Sequence, residues 1–346
     1  MFLPRNYNSA TAVTENTEIS ALVLRAVAIA MATVTATLIA TASAIAQNYP
    51  VRPVRLLVTS PPGGANDTQA RVLGAKLGEQ LGQVVVIDNR AGGSGMIAAE
   101  IVARSAPDGY TLLAGTNSTF AVNPSLFPKV PYDTPRDFAP VAVTVMTPHV
   151  LLVHPSLPVQ SVKALLALAK AQPGRLNYAS SGNGSAFHLG MELLKNAAGV
   201  DIVHVPFKGS ALSANAMIGG EVQMMLVGLP TGMPLAKSGK ARALAVATPA
   251  RSALAPELPT IAEAGVPGYG YQSWFGVAAP AGTPPSVIAR LHQGLISPLG
   301  QADVRERLAA LGYEVIATTP REMAGKIRAD TQTWAKVIRD SGARPE

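Results

Sequence analysis

Residues 56–70 read LLVTSPPGGANDTQA, and this stretch decides the class of fold. An apolar run ends at Val58, the turn Pro61-Pro62-Gly63-Gly64 follows, and helix-forming residues begin at once. The pattern predicts a strand, a tight glycine turn and the start of a helix. Such a junction points backbone N–H groups at an open space, which suits an anion.

The same strand–turn–helix order recurs along the chain. Residues 84–87 predict a short apolar strand of the kind that is covered on both faces, and a glycine turn, a helix and a strand at 111–114 follow. A second series begins with a helix capped by Ser161 and continues with a strand at 176–179, a turn at 180–185 and another helix. This βαβαβ order predicts mostly parallel sheets with right-handed crossovers.

The last part of the chain completes the second series and adds a third section. Strands are predicted at 202–205, 222–227, 243–246, 274–278 and 313–316. A long final helix opens with Thr319-Pro320-Arg321-Glu322, a capping box with proline at the first helical position. The predicted class is an α/β fold of two lobes with a ligand between them.

Composition excludes several classes of function. The 346 residues carry a net charge of +7, but the basic residues are scattered and aromatic residues make up only 5%. This disfavours nucleic acid as a partner, because a basic stripe and stacking platforms are both missing. Cysteine is absent, which removes disulfides, thiol nucleophiles and cysteine metal sites.

The N-terminus predicts export. Residues 26–46 carry no charge, follow Arg25 and end in Ala44-Ile45-Ala46, which is typical of a cleaved signal with the mature chain starting at Gln47. A retained membrane anchor is the competing interpretation, because about 20 uncharged residues span a bilayer. Glu15 and Glu18 are unusual in a leader, so we expect translation to start nearer Arg25. The predicted location is the periplasm.

Common nucleotide and catalytic motifs are missing. No lysine follows Gly64 as a phosphate-binding loop requires, and no G-x-G-x-x-G or G-x-S-x-G pattern occurs. The five histidines lack metal-ligand spacing. We therefore expect no enzyme activity, no metal and no cofactor, with a hydrolase-like triad assembled from distant residues as the alternative.

Three junctions combine small residues with a helix start, at residues 59–67, 115–123 and 179–187. Unpaired N–H groups and a helix dipole at each junction suit a carboxylate. Two junctions facing one cleft would reach micromolar binding, about −8 kcal/mol. Turns of this kind also serve chain reversal alone, and spacing does not separate the two interpretations.

A resemblance to a known family favours the carboxylate-binding interpretation of these junctions over simple chain reversal. The motifs PPGGAND, NRAGGSG, APDGYTLLAGT, LNYASSGNGS, HVPFKGS and WFGVAAPAGTP resemble the Bug family, the TctC-like extracytoplasmic solute-binding receptors of tripartite tricarboxylate transporters. The similarity covers about residues 49–342. It implies a periplasmic-binding-protein fold whose lobes, residues 47–145 plus 273–346 and residues 146–272, close on a small organic carboxylate.

The resemblance also implies the residues that bind the ligand. The first loop contains Pro62, Gly63, Gly64, Ala65 and Asp67, and the second loop contains Ser180, Ser181, Gly182, Asn183, Gly184 and Ser185. The third segment contains Thr116, Asn117, Ser118 and Ala121. Three further positions are His188, Lys208 and Val227. Packing is an alternative role for His188, and Asp67 is expected to shape its own turn. Phe207, Trp274 and Phe275 either line the cleft or belong to the core.

Two departures from the family pattern bear on specificity. Ser60 stands where the family often has Phe, and Val227-Gly228 stands where many members have an Asp-Asn pair. A ligand ammonium would lack an acidic partner here, so we expect a ligand without an amino group, such as a dicarboxylate, a tricarboxylate or an aromatic acid. The expected partners are membrane subunits of a transporter or a sensor kinase, and the expected state is a monomer.

Overall fold

The computed structural model describes Met31 and residues 49–345. The predicted signal, residues 1–46, therefore lies outside the described residues apart from Met31. Residues 50–346 form one compact unit, and the account below concerns that unit. Within the described residues, no helix has both the length and the apolar character needed to cross a membrane.

Eleven strands form two sheets in the described chain. The strands are β1 (Val54–Val58), β2 (Val85–Asn89), β3 (Thr111–Thr116), β4 (Phe138–Thr147), β5 (His149–Val153), β6 (Asn177–Ser180), β7 (Val203–Pro206), β8 (Met224–Gly228), β9 (Arg242–Val246), β10 (Ser273–Pro280) and β11 (Glu314–Val315). The first sheet has the order β11-β4-β10-β3-β1-β2, and the second has the order β7-β6-β8-β5-β9.

Helices flank both sheets. They are α1 (Ala65–Leu81), α2 (Met96–Ala103), α3 (Asn123–Leu126), α4 (Thr134–Asp137), α5 (Val162–Ala171), α6 (Ala186–Ala198), α7 (Ser210–Ile218), α8 (Leu229–Lys237), α9 (Pro285–Leu299), α10 (Ala302–Ala310) and α11 (Pro320–Ser341). A 3₁₀ turn at Gly93–Gly95 precedes α2, and a π-helical turn at Ser118–Val122 precedes α3. The two-lobed α/β class predicted from the sequence is confirmed.

The opening stretch folds as its pattern predicts. β1 pairs in parallel with both β2 and β3, which gives the βαβαβ unit. Helix α1 starts directly after Gly64 and buries Leu73 and Leu77. It ends at Gly82, whose φ of 69° is left-handed and is accessible to glycine without strain.

One prediction about this unit is wrong. The strand after α1 was expected to be covered on both faces, but β2 lies at the edge of the sheet. Val84 and Val86 are 66% and 47% exposed, whereas Val85 and Ile87 pack against glycines of α1. A short apolar run cannot distinguish a central strand from an edge strand that is covered on one face only.

The chain crosses between the sheets at two places. β4 ends at Thr147, and after Pro148 the chain enters the second sheet as β5; it returns between β9 and β10. Thr147 pairs with Ser273, and His149 pairs with Gly228. In the first sheet, β4 runs in the same direction as β1 and β3, so its last residue lies at the edge where those strands end. In the second sheet, β5 begins at the edge where β8 ends. Both crossings therefore connect the edges at which the parallel strands of the two sheets end. Ligands of open α/β sheets bind at such edges.

Helix α11 contributes to the cores of both lobes. Its first half places Met323 and Ile327 in the cluster around Trp274 and Phe120 of the first lobe. Its second half places Trp334 in the cluster of the second lobe, where its ring meets Tyr271 edge-on at 5.3 Å. The Trp274 indole stacks on Phe120 and donates to Asp330 of α11 at 2.6 Å. Trp274, fully buried, and Phe275, 4% exposed, therefore belong to the core.

The capping box of α11 forms as predicted, and it supports a test of stability. Thr319 Oγ1 accepts the Glu322 N–H, and the Glu322 side chain accepts the Thr319 N–H. We expect Thr319→Ala to lower the free energy of unfolding by about 1 kcal/mol, measured by urea denaturation. Thr333→Ala, in the exposed middle of the same helix, is the control and should cost nothing; equal losses in the two variants would contradict the prediction.

Candidate carboxylate-binding site

The predicted loops gather at the joined edges of the two sheets. The first loop follows β1, the third segment follows β3, and the second loop follows β6. These strands end at the sheet edges that the two crossings connect, so the three segments follow strand ends on the connected edges. The two-loop hypothesis requires this placement.

Asp67 organises the first loop from within. Its carboxylate accepts the Gly63 N–H at 2.8 Å, Arg71 Nε at 2.9 Å and Asn89 Nδ2 at 2.9 Å, and its side chain is 3% exposed. Burial acts to raise the pKa of Asp67, but the hydrogen bonds from Arg71, Gly63 and Asn89 together outweigh it, so the pKa lies below its ordinary value. The carboxylate is thus ionised and fully engaged in holding the turn.

Two further side chains fix the first loop in place. Asn66 Nδ2 donates to Thr59 Oγ1 at 2.8 Å and to the Ala114 carbonyl of β3 at 2.6 Å, and the Tyr313 hydroxyl donates to the Ala65 carbonyl at 2.7 Å. In the described part of the chain, no group accepts the N–H of Ala65 or of Asn66. These are the orphan donors that a helix N-terminus offers to an anion.

Ser180 organises the second loop. Its hydroxyl lies 2.6 Å from His204 Nε2, accepts the Gly182 N–H at 3.2 Å and is 3.0 Å from the Gly182 carbonyl. Gly182 has a φ of 127° and Gly184 a φ of 69°, so this bend requires residues without a β-carbon. Ser185 then caps α6 by accepting the His188 N–H at 3.3 Å.

His188 acts inside the same loop. Its Nδ1 accepts the Gly184 N–H at 2.9 Å, and the residue is 5% exposed. Burial lowers the pKa of His188 to about 4, with the Lys195 charge as a second cause, so the ring is neutral at neutral pH. The two loops therefore share one hydrogen-bonding pattern. In each, the N–H of a glycine donates to the side chain four residues later, from Gly63 to Asp67 and from Gly184 to His188.

The third segment connects to the second loop through a line of aromatic rings. The Asn117 side chain lies close to the Tyr271 hydroxyl, and the Tyr271 ring stacks on His149 at 5.0 Å. His149 in turn meets Phe187 of α6 edge-on at 5.6 Å. Burial lowers the pKa of His149 to about 3, which keeps this ring neutral.

Contacts across the interlobe space bring the loops near each other. A β-carbon placed on Gly184 would lie 2.6 Å from Leu126 Cδ2, directly after the third segment. On the other side, Pro230 in the first turn of α8 lies against Gly312, and the Ser252 hydroxyl donates to Glu314. Because Tyr313 also bonds Ala65, residues 312–314 contact both the first loop and the second sheet's side of the molecule.

Three predicted site residues are placed differently. Val227 is 1% exposed and packs in the cluster with Val150 and Met225, and Ala121 is fully buried in the core that contains Leu126. Lys208 lies after β7, is exposed, and has no acidic partner within 4 Å among the described residues. Ala121 and Val227 therefore pack in the cores, whereas Lys208 directly follows Phe207, whose N–H donates to the Ser180 carbonyl of the second loop at 3.0 Å.

Sequence reasoning missed several residues around the loops. They are Asn66, His149, Phe187, Tyr271 and Tyr313. Asn66 stands beside the predicted glycine turn, so its amide was a signal that could have been used. The aromatic residues gave no such signal, because their neighbours are distant in sequence. The described residues contain no cluster of His, Asp or Glu that would hold a metal ion.

Comparison with known proteins gives a consistent result. Residues 69–343 match the family described as tripartite tricarboxylate transporter family receptor. The chain is 40% identical to protein BugT of Bordetella pertussis over 300 residues, which is 86% of this chain and 92% of BugT.

Solved structures agree with this match. R. palustris Rpa4515 with adipate is 41% identical, with a TM-score of 0.73 over 86% of this chain and all of that one. MatC from Rhodopseudomonas palustris with bound malate is 34% identical, with a TM-score of 0.69 over 84% of this chain and all of that one. Each comparison covers more than four fifths of this chain, and each of the two solved structures contains a dicarboxylate.

Proposed function

Because the chain belongs to the tripartite tricarboxylate transporter receptor family, it is a solute-binding receptor for small organic carboxylates, and we propose that its ligand is an amine-free dicarboxylate. The observation that carries this proposal is the pair of glycine turns, each fixed by its own side chains, at the joined edges of the sheets. The first turn leaves the amides of Ala65 and Asn66 available for a carboxylate. The adipate and malate bound by similar proteins support the dicarboxylate class.

The binding residues in this proposal come from three regions. The first loop contributes Pro62, Gly63, Gly64 and Ala65, with Asp67 holding the turn. The second loop contributes residues 180–185, and the third segment contributes Thr116, Asn117 and Ser118. Charge-assisted hydrogen bonds to a carboxylate contribute about 1.5–3 kcal/mol each, so a few amide donors suffice for micromolar binding.

The two crossings provide a hinge for closure. Only Pro148 separates β4 from β5, and the second connection joins β9 to β10. We assign residues up to Thr147 together with those from Ser273 onward to one lobe and the residues between them to the other. Rotation about these two connections opens and closes the interlobe space while each sheet stays intact.

Export and partners complete the proposal. Residues 1–46 act as a cleaved signal, and the mature monomer works in the periplasm without catalysis. Loaded receptor passes its ligand to membrane subunits of a transporter or reports it to a sensor kinase. Incubation of the receptor with monomethyl adipate, followed by chromatography, distinguishes this function from the alternative of a hydrolase in the same space, because a receptor returns the ester unchanged whereas a hydrolase cleaves it with water to adipate and methanol.

The lack of a free acid in the loops makes a prediction about specificity. We expect adipate to bind at least tenfold more tightly than 2-aminoadipate, measured by isothermal titration calorimetry at pH 7.5. The two acids have the same carbon chain, and the added ammonium would find no free acidic partner in the loops, because Asp67 already accepts three hydrogen bonds and position 227 carries Val. Tenfold corresponds to about 1.4 kcal/mol.

A second pair of ligands controls for size. Adipate and 2-methyladipate differ at the same carbon by an uncharged group of similar volume to the ammonium. If the amine alone matters, the methyl compound should retain most of the affinity. Tighter binding of 2-aminoadipate than of adipate would show that another group in the space receives the ammonium.

A further inference from the structure

Two histidine rings lie stacked beneath the second loop. The rings of His188 on α6 and His204 on β7 are 3.9 Å apart between centroids and 6° from parallel. The Tyr178 ring of β6 lies beside both imidazoles, with its centroid 4.9 Å from that of His204 and 6.5 Å from that of His188. The two histidines come from different elements, so the stack also fixes α6 against the edge of the second sheet.

Each ring acts on a different glycine of the loop. His188 Nδ1 accepts the Gly184 N–H directly. His204 Nε2 contacts the Ser180 hydroxyl, and that hydroxyl contacts both the N–H and the carbonyl of Gly182. The conformation of the bend at Gly182 and Gly184 therefore depends on both imidazoles.

We propose that His188 and His204 are positioning residues that hold Gly182 and Gly184 in the ligand-binding conformation, and that protonation of His188 releases this hold. The inference rests on the proposed role of the second loop in binding a carboxylate. It differs from a direct contact between His188 and the ligand, because the imidazole nitrogen that faces the loop is already occupied by Gly184.

Proton chemistry at Nδ1 explains the release. A neutral imidazole offers one lone pair, which here accepts the Gly184 N–H. A proton on that nitrogen turns it into a donor facing another donor, so the bond cannot persist. The titratable groups around the stack are Tyr178, Glu192 and Lys195, and Glu192 already accepts from the Tyr178 hydroxyl and from Lys195, each at 2.6 Å.

The environment of the His188 ring determines whether ligand affinity rises or falls with pH. Burial, together with Lys195, keeps the pKa of His188 near 4 in the folded loop, below the ordinary histidine value of about 6.5. A loosened loop returns the ring to water and to the ordinary value. Protons therefore favour the loosened loop below about pH 6.5, and ligand affinity falls as the pH drops toward 4.

The test compares isosteric variants with adipate as the probe. The Asn side chain of His188→Asn places an acceptor oxygen near the Nδ1 position without a titrating group. We expect the dissociation constant of the wild type to rise about tenfold more between pH 7.5 and pH 5.0 than that of His188→Asn, by titration calorimetry. Because both proteins meet the same adipate, its own protonation cancels in the comparison. His188→Leu, without an acceptor, should bind weakly at both pH values.

Two controls make the outcome decisive. His154→Asn, on the turn after β5 and remote from the second loop, should keep the wild-type pH profile. Equal pH profiles for wild type and His188→Asn, or wild-type affinity in His188→Leu, would overturn the inference. If the wild type binds no adipate at any pH, the proposed function fails instead. The Gly184 amide resonance then still decides the inference, because it should titrate in the wild type and not in His188→Asn.

Discussion

Replacing Gly182 by alanine should lower the affinity for adipate about a hundredfold while leaving the protein folded. Gly182 has a φ of 127°, a conformation that residues with a β-carbon rarely adopt, at a cost of about 1–3 kcal/mol. The bend would relax instead, and its N–H and carbonyl would leave the Ser180 hydroxyl. Titration calorimetry at pH 7.5 measures the loss, and circular dichroism confirms the fold.

Gly199→Ala is the matched control for this variant. Gly199 is also left-handed, with a φ of 61°, but it ends α6 at the far side of the helix and has open space around it. We expect this variant to lose about 1 kcal/mol of stability through the strained cap and to bind adipate like the wild type. Equal losses of affinity in the two variants would show that stability, and not the shape of the loop, limits binding.

Asp67→Ala should give the largest loss of stability at the first loop. The change removes the acceptor of three partly buried hydrogen bonds, from Gly63, Arg71 and Asn89. We expect the free energy of unfolding to fall by about 2–3 kcal/mol, by urea denaturation, because three partly buried hydrogen bonds to one ionised carboxylate are lost together. Adipate binding should fall as well, since the Gly63 turn loses its support.

A surface acid controls for charge. Asp303 lies in the first turn of α10 with its side chain 72% exposed, and Asp303→Ala should change stability by no more than about 0.5 kcal/mol. A similar small effect of Asp67→Ala would show that water replaces its hydrogen bonds without cost.

The stability provided by Asp67 should depend on pH with a definite sign. Its pKa is lowered in the folded protein, so its contribution is present above the ordinary carboxyl pKa of about 4 and disappears as the pH falls through the lower folded value. The gap in unfolding free energy between wild type and Asp67→Ala should therefore narrow between pH 5 and pH 2. A gap that widens on acidification would contradict the ionised, hydrogen-bonded state of the carboxylate.

The local features of the fold could be predicted from the sequence because local physics determines them. The junction after β1, the Ser161 cap of α5 and the capping box of α11 all depend on residues within a few positions of each other. The edge position of β2 depends instead on which strands lie beside it. The strands β4 and β5 were not predicted, because they are joined through Pro148 alone and their division between two sheets depends on distant strands.

In the candidate site, too, the features set by neighbouring residues could be predicted and those set by distant residues could not. The glycine turns were found because glycine and small polar residues mark them in the sequence. The partners that fix those turns were harder to find: Asp67 reaches Asn89 across 22 residues, and Ser180 reaches His204 across 24. The line from Asn117 through Tyr271 to His149 spans more than one hundred residues of sequence and leaves no local pattern.

The two-core placement of α11 has a mechanical consequence. A stiff rod anchored in both lobes acts as a tether across the outside of the hinge, so separation of the lobes must bend the rod or slide its last turns over the second core. Met323 near its start and Trp334 near its end mark the two anchors. The amplitude of opening is therefore bounded by one helix, and a chain that ends before Trp334 would lose that bound along with part of its second core.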